Sequence, residues 1–137
     1  MLELSRVAYY GDANLIPSLI ARGENIHEVD TAGNTPLHWA AIGGRLDSVE
    51  ILIANNADVN IQNLKGKTPM HLACFFNRDK MVEAFIKAGA DLTLKDNDGR
   101  TPLDTAVKWR YNNVITILSK EINLYLDKQE QRKSMKP

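Results

Sequence analysis

Histidine and cysteine are the side chains here that could act as general bases, nucleophiles or metal ligands near neutral pH. The chain has three histidines, His27, His38 and His71, and one cysteine, Cys74. A zinc site needs Cys and His ligands at short spacings, whereas His38 and His71 stand far apart in the chain. Phosphate-binding and dinucleotide-binding glycine motifs are absent from the sequence. We therefore predict no catalytic residues, no metal site and no cofactor.

The composition is that of one globular domain, with 137 residues, 44% of them hydrophobic and 25% charged. Seventeen basic residues balance seventeen acidic ones, so the chain lacks the basic surplus typical of nucleic-acid-binding proteins. No apolar run approaches the roughly 18 residues of a membrane span, and the N-terminal residues lack a signal-peptide pattern. One cysteine cannot form an internal disulfide, which favours a reducing compartment. We expect a monomer in the cytoplasm, with the nucleus as the alternative.

The elements that would position any functional side chain recur with a period of about 33 residues. Thr-Pro-Leu-His over 35–38 recurs as Thr-Pro-Met-His over 68–71 and as Thr-Pro-Leu-Asp over 101–104. Before each copy an Asp or Asn stands three residues ahead of a Gly, and behind each copy, at the same spacing, comes an alanine. That alanine column contains Ala40, Ala73 and Ala106.

Each part of this unit predicts a local structure. Asp or Asn followed three residues later by Gly is typical of a β-turn. Thr is a good helix N-cap, and the Pro after it takes the first helical position, where a missing N–H costs nothing. A second helix follows and ends at Gly or Asn, which tolerate the left-handed conformation. One helix pair cannot bury its apolar face alone, so neighbouring units must stack into a solenoid.

The pattern resembles the ankyrin repeat, whose signature is Thr-Pro-Leu-His-x-Ala and whose period is likewise about 33 residues. The resemblance implies an all-α solenoid of four stacked helix-turn-helix layers joined by β-turn or hairpin loops. We predict a domain over 1–128 and a polar, frayed tail over 129–137. Its units are an N-terminal cap (1–29), two full repeats (30–62 and 63–95) and a C-terminal cap (96–128). Ser119 stands in a column of isoleucines, which favours a polar outer face on the last layer.

The resemblance also implies roles for particular residues. The histidines of the signature, His38 and His71, are expected to make structural hydrogen bonds between repeats. Ankyrin-repeat proteins generally bind partners on their concave side, through hairpin tips and exposed residues of the first helices. In the matching columns aromatic side chains stand where polar or small residues are usual, and basic residues flank them. The predicted partner-binding residues are Tyr10, Ile42, Arg45, Lys65, Lys67, Phe75, Phe76, Arg78, Lys108, Trp109 and Tyr111.

These residues predict a non-catalytic protein-binding module, an adaptor or a steric inhibitor. The expected partner is an extended or helical segment with apolar anchors and acidic flanks, and neither nucleic acid nor a membrane is expected to be bound. The alternative for any single ring is a place in the core, although Phe75 and Phe76 point about 100° apart on a helix and cannot both be comfortably buried. Two other interpretations stay open: a targeting or regulatory domain of a larger enzyme or channel, and a microbial effector acting on host proteins.

The C-terminal segment departs from the repeat. Ile122 takes the place of the expected helix-ending Gly, so the last helix is predicted to be lengthened. We expect the extra part to shield the last repeat, with a docking or dimerisation helix as the alternative. Asn60 lies in a pattern that asparagine hydroxylases read in some animal ankyrin proteins, and its hydroxylation depends on a host that has the enzyme.

Overall fold

A computed structural model describes residues 2–135 and forms a helical stack. Within this range there are eight α-helices, one short 3₁₀ helix (Ala13–Leu15) and no β-strand. The α-helices are α1 (Glu3–Tyr10), α2 (Ile16–Ala21), α3 (Pro36–Gly43), α4 (Leu46–Ala54), α5 (Pro69–Phe75), α6 (Asp79–Lys87), α7 (Pro102–Trp109) and α8 (Asn112–Ser134). The predicted all-α solenoid is confirmed.

The helices form two rows. In the first-helix row α1 packs on α3, α3 on α5 and α5 on α7, while α2, α4, α6 and α8 form the second-helix row. Each first helix and the second helix that follows it make one layer, so the stack has four layers. The core lies between the rows, where Val49, Leu52, Val82 and Phe85 are fully buried.

The first helices begin as the sequence predicts. Thr35, at the N-cap of α3, accepts a hydrogen bond on its hydroxyl from the His38 N–H, and His38 Nδ1 accepts one from the Thr35 N–H at 3.1 Å. The same reciprocal box recurs at Thr68 in α5 and at Thr101 in α7. Each box satisfies backbone donors that a helix start leaves unpaired, and so fixes where the first helix begins.

Hairpin loops connect the layers and also touch one another. The Asp30 Oδ1 atom accepts hydrogen bonds from the N–H groups of Ala32 and Asn34, which closes the first turn. Gly33 has a φ of 78°, and a Cβ there would lie 2.9 Å from the Leu64 nitrogen of the next hairpin. The turn therefore requires glycine both for its left-handed backbone and for close stacking.

The C-terminal segment differs from two expectations. Where a frayed tail was expected after residue 128, α8 continues to Ser134; Lys, Gln, Glu and Arg dominate this stretch and are good helix formers. Residues 136 and 137 of the predicted tail lie outside the described residues. The lengthened part also does not shield the last layer beyond Ile122, since the side chains of Leu124, Tyr125 and Leu126 are exposed.

Candidate partner-binding face

Three aromatic rings meet at the C-terminal ends of α5 and α7. Phe75 packs edge to face on Phe76, with ring centroids 5.0 Å apart, and on Trp109, with centroids 5.7 Å apart. All three remain open to solvent, since 41% of Phe75, 37% of Phe76 and 47% of Trp109 is exposed. Edge-to-face contact orders these rings without burying them. We call this group the C-terminal aromatic cluster.

A second group of rings lies at the other end of the first-helix row. Tyr9 packs edge to face on Tyr10, with centroids 4.9 Å apart, and on Trp39, with centroids 5.7 Å apart. Tyr10 is exposed, and the other two rings are half-buried. The Trp39 indole N–H donates to Asp30 Oδ2 at 2.7 Å, which fixes its ring. We call this group the N-terminal aromatic cluster.

The residues between the two clusters on α3 are a half-buried isoleucine and a glycine, Ile42 and Gly43. Ile42 is half-buried against the core, so it offers only part of its side chain. At Gly43 a Cβ would clash with the carbonyl oxygen of Tyr9, which shows how closely α1 and α3 approach.

Cationic side chains border both clusters. Arg45 Nε donates to the Tyr9 carbonyl oxygen at 3.1 Å, so this guanidinium is held at the N-terminal aromatic cluster. The Arg78 guanidinium lies 5.8 Å from the centroid of the Phe76 ring, and Lys108 Nζ lies 5.4 Å from that of Trp109. Both distances are within the range of cation–π attraction. The face therefore combines apolar rings with positive charge.

The sequence comparison agrees with the repeat fold. The family model described as "Ankyrin repeats (3 copies)" matches residues 4–96 and, in a second overlapping match, residues 55–129. This chain belongs to the ankyrin-repeat family. A search of curated proteins finds no match to it. Ankyrin repeats are generally protein–protein interaction modules and are typically not catalytic.

The ankyrin signature histidines have the role that the resemblance implies. His38 Nε2 donates to the carbonyl oxygen of Lys67 at 2.8 Å, and His71 Nε2 donates to that of Arg100 at 2.9 Å. Since Nδ1 accepts from the N-cap threonine in each case, both rings are neutral and carry their proton on Nε2. Burial lowers the pKa of His38 to about 4 and lowers the pKa of His71 as well. Both histidines join one ankyrin layer to the next.

Two of the predicted binding residues lie elsewhere than expected. Lys67 is not part of a rim around the rings, because its Nζ pairs with Asp96 Oδ2 of the next ankyrin repeat at 3.0 Å. Tyr111 is half-buried against the core at the start of α8, where the core alternative is the correct one. Lys65 is exposed at a hairpin tip, where the repeat register predicted it, and it lies apart from the helix ends that carry the clusters.

Sequence reasoning omitted Trp39 from the binding residues. Its column reads Arg6, Trp39, Leu72 and Thr105, and a Trp beside polar and smaller residues was the available signal. In this ankyrin stack Trp39 extends the N-terminal aromatic cluster from the first layer to the second. Two layers therefore contribute rings to each cluster.

The remaining chemistry-bearing groups of this ankyrin domain have structural surroundings. Cys74 is buried, and burial raises the pKa of its thiol to about 12, so it is not a ready nucleophile. Within residues 2–135 no three His, Cys, Asp or Glu side chains come together as metal ligands. None of the helices in this range combines the length and the apolar character that crossing a membrane requires.

Proposed function

We propose that this protein is a non-catalytic adaptor or steric inhibitor that holds a partner segment along its first-helix row, the concave side in ankyrin-repeat proteins. The observation that carries the proposal is the C-terminal aromatic cluster of Phe75, Phe76 and Trp109. Three ordered rings, each more than a third exposed and bordered by cations, are costly on a surface that meets only water. Aromatic and Arg side chains are also the groups enriched at interface hot spots.

The spacing of the two aromatic clusters sets the spacing of the anchors in the partner. The N-terminal aromatic cluster is centred on layers one and two, and the C-terminal aromatic cluster on layers three and four. Helix layers pack about 10 Å apart, so the clusters are about 20 Å apart. At roughly 3.3 Å per residue, an extended segment needs about six residues between its two apolar anchors. A helical segment would need about thirteen residues, at about 1.5 Å each.

The positive charge of the face favours acidic residues beside the apolar anchors of the partner. Arg45, Arg78 and Lys108 lie beside the rings, and each can meet a carboxylate of a bound segment. Because such pairs form near the surface, they should speed association and weaken as salt is added. The partner segment is therefore acidic around apolar anchors.

A random peptide display library tests this proposal without a named partner. We expect selection on the intact protein to enrich peptides with two large apolar residues about six positions apart and with Asp or Glu beside them. The doubly substituted protein, Phe76→Ala/Trp109→Ala, should bind the enriched peptides at least tenfold more weakly.

The matched control is Tyr125→Ala, which removes an exposed ring from α8, outside both clusters. Circular dichroism melts should show that all three proteins are folded. Equal peptide affinity for the double variant and the parent protein would refute the proposed face, and so would an equal loss in Tyr125→Ala.

A further inference from the structure

The C-terminal end of the stack exposes a position that every other layer buries. Val107 on α7 is 53% exposed, whereas Ala8, Ala41 and Cys74, its counterparts three, two and one repeats earlier, are 0% exposed. Those three are buried because the next layer covers them. Leu103 shows the same contrast, since it is half-buried and its counterparts Leu4, Leu37 and Met70 are buried.

This end is therefore more apolar than the sequence predicted. Ser119, from which a polar outer face was expected, is only half-buried on α8, while Leu103 and Val107 form an apolar strip on α7. The strip has the character of an inner layer, and a further layer of similar shape would bury it.

Two opposite charges flank the strip along the chain. Asp104 on α7 precedes Val107 by three residues, and Arg110, the C-cap residue of α7, follows it by three; both are exposed. Asp104 Oδ2 also accepts a hydrogen bond from the Thr101 N–H at 2.9 Å. When two copies of α7 lie antiparallel with Val107 facing Val107, each Asp104 is opposite the Arg110 of the other copy. Two identical ion pairs then border one apolar contact, which is the self-complementary pattern of a two-fold interface.

We propose that a second copy of this chain covers the strip, with the two stacks joined tail to tail through α7. The equal numbers of acidic and basic residues mean that no net charge opposes self-association. An antiparallel α7 pair requires a two-fold axis perpendicular to both the helices and the stack. The two first-helix rows then face the same side, and the dimer presents one doubled binding face in place of the monomer expected from the sequence.

An exposed apolar residue at the N-terminal end of the stack, Leu15, serves as a control for the tail-to-tail arrangement. Leu15 is exposed in the first layer, whereas its counterparts Ser48, Met81 and Val114 are buried. A head-to-tail association would need this end as well, and it would continue into chains of molecules instead of closing as a dimer. The tail-to-tail dimer does not use Leu15.

Sedimentation velocity of the full chain over a wide concentration range tests the proposal. We expect a monomer–dimer equilibrium, a dissociation constant raised at least tenfold by Val107→Lys, and no change with Leu15→Lys. Both sites are exposed, so neither substitution should prevent folding, and circular dichroism melts verify this. A parent protein that stays monomeric throughout would overturn the proposal and leave the strip to a different protein. Equal effects of the two variants would instead indicate head-to-tail association.

Charge reversal tests the pairing itself. Asp104→Arg and Arg110→Glu each place like charges in contact across the two-fold axis. Each variant alone should therefore be monomeric. An equimolar mixture of the two restores both ion pairs, and we expect it to form the dimer again. Failure of the mixture to associate, with both variants folded, would contradict the antiparallel α7 arrangement.

Discussion

The side chain of His38 donates from Nε2 to the main-chain carbonyl of Lys67 at 2.8 Å, and so links the start of one helix to the hairpin of the next layer. Its other ring nitrogen accepts from the Thr35 N–H at 3.1 Å. One fully buried ring thereby satisfies both a helix start and the loop of the following repeat. The bond explains why removing a single side chain should weaken two layers together.

Replacing His38 with Ala should lower the free energy of unfolding by roughly 2–4 kcal/mol, because it leaves buried backbone groups unpaired and opens a cavity. Urea titration followed by circular dichroism measures the change. Asp104→Ala offers a comparison at the same column in the last layer, where the side chain caps α7 but is exposed, and it should cost only about 1 kcal/mol. Equal costs at the two positions would show that the interlayer bond contributes little.

Stability should fall as the pH is lowered from about 6.5 towards 4. Burial lowers the pKa of His38 from 6.5 to about 4, so between these values the unfolded chain binds a proton that the folded chain excludes. The stability supplied by the neutral ring is complete above pH 6.5 and is lost as the pH falls towards 4, and it is on the order of 3 kcal/mol for this one group. His71, whose pKa burial also lowers, adds in the same direction.

Unfolding free energies measured at pH 7 and pH 5 check the sign and the source of this dependence. His38→Gln removes the titrating group, so the difference between the two pH values should be clearly smaller in the variant than in the parent protein. An unchanged difference would assign the pH dependence to other groups.

Lys67 should matter for stability and not for binding. Its partner Asp96 has a side chain that is 1% exposed, against 25% for Lys67. Burial by itself would raise the pKa of Asp96, but hydrogen bonds from the Arg100 N–H and the Lys67 ammonium hold that pKa below its ordinary value. Lys67→Met would strand this carboxylate, at a cost of about 1–3 kcal/mol, less than the roughly 3–5 kcal/mol of a fully buried pair.

Lys108→Met should have the opposite effect to Lys67→Met, because Lys108 is exposed above the Trp109 ring. It should weaken binding of an acidic selected peptide about three- to tenfold with little change in stability. Isothermal titration and urea titration of both variants separate the two effects. A loss of peptide binding in Lys67→Met with full stability would return Lys67 to the binding face.

Gly43 should not accept any side chain. Its Cβ would clash with the carbonyl oxygen of Tyr9 on α1, and a rigid backbone atom cannot move aside as a side chain can. Gly43→Ala should therefore cost roughly 1–3 kcal/mol through overpacking. It should also alter the near-ultraviolet circular dichroism of the N-terminal aromatic cluster.

Gly99→Ala separates steric overlap from backbone strain. Gly99 has a φ of 76° and no neighbour within 4 Å, so an alanine there meets only the left-handed conformation, at a cost of about 1 kcal/mol. A smaller loss for Gly43→Ala than for Gly99→Ala would contradict the close approach of α1 and α3.

The sequence predicted the exposed rings of the candidate face, but it did not predict the burial of every residue assigned to that face. The columns containing Phe75, Phe76 and Trp109 predicted exposed rings, and the structure shows them exposed and in contact. A neighbouring column, at the start of the second helices, also predicted an exposed Tyr111, which is instead half-buried against the core. Exposure at a helix end depends on how the next turn packs, and a repeat register does not contain that information.

The sequence by itself determined the features that depend on residues a few positions apart. Thr and Pro start each first helix, Asp or Asn with Gly closes each hairpin, and the regular recurrence of these units makes them stack. These are local preferences of the backbone, so any short segment that contains the residues is enough to predict them.

Only the tertiary structure decided the pairings between layers. Phe75 and Trp109 belong to different repeats, as do Lys67 and Asp96, yet each pair is in contact. The exposure of Val107 likewise follows from the absence of a covering layer within residues 2–135, while the equivalent Cys74 is buried. The distance and angle between layers determine which side chains of stacked repeats are in contact. Packing of the whole stack sets that distance and angle, and no single segment does so.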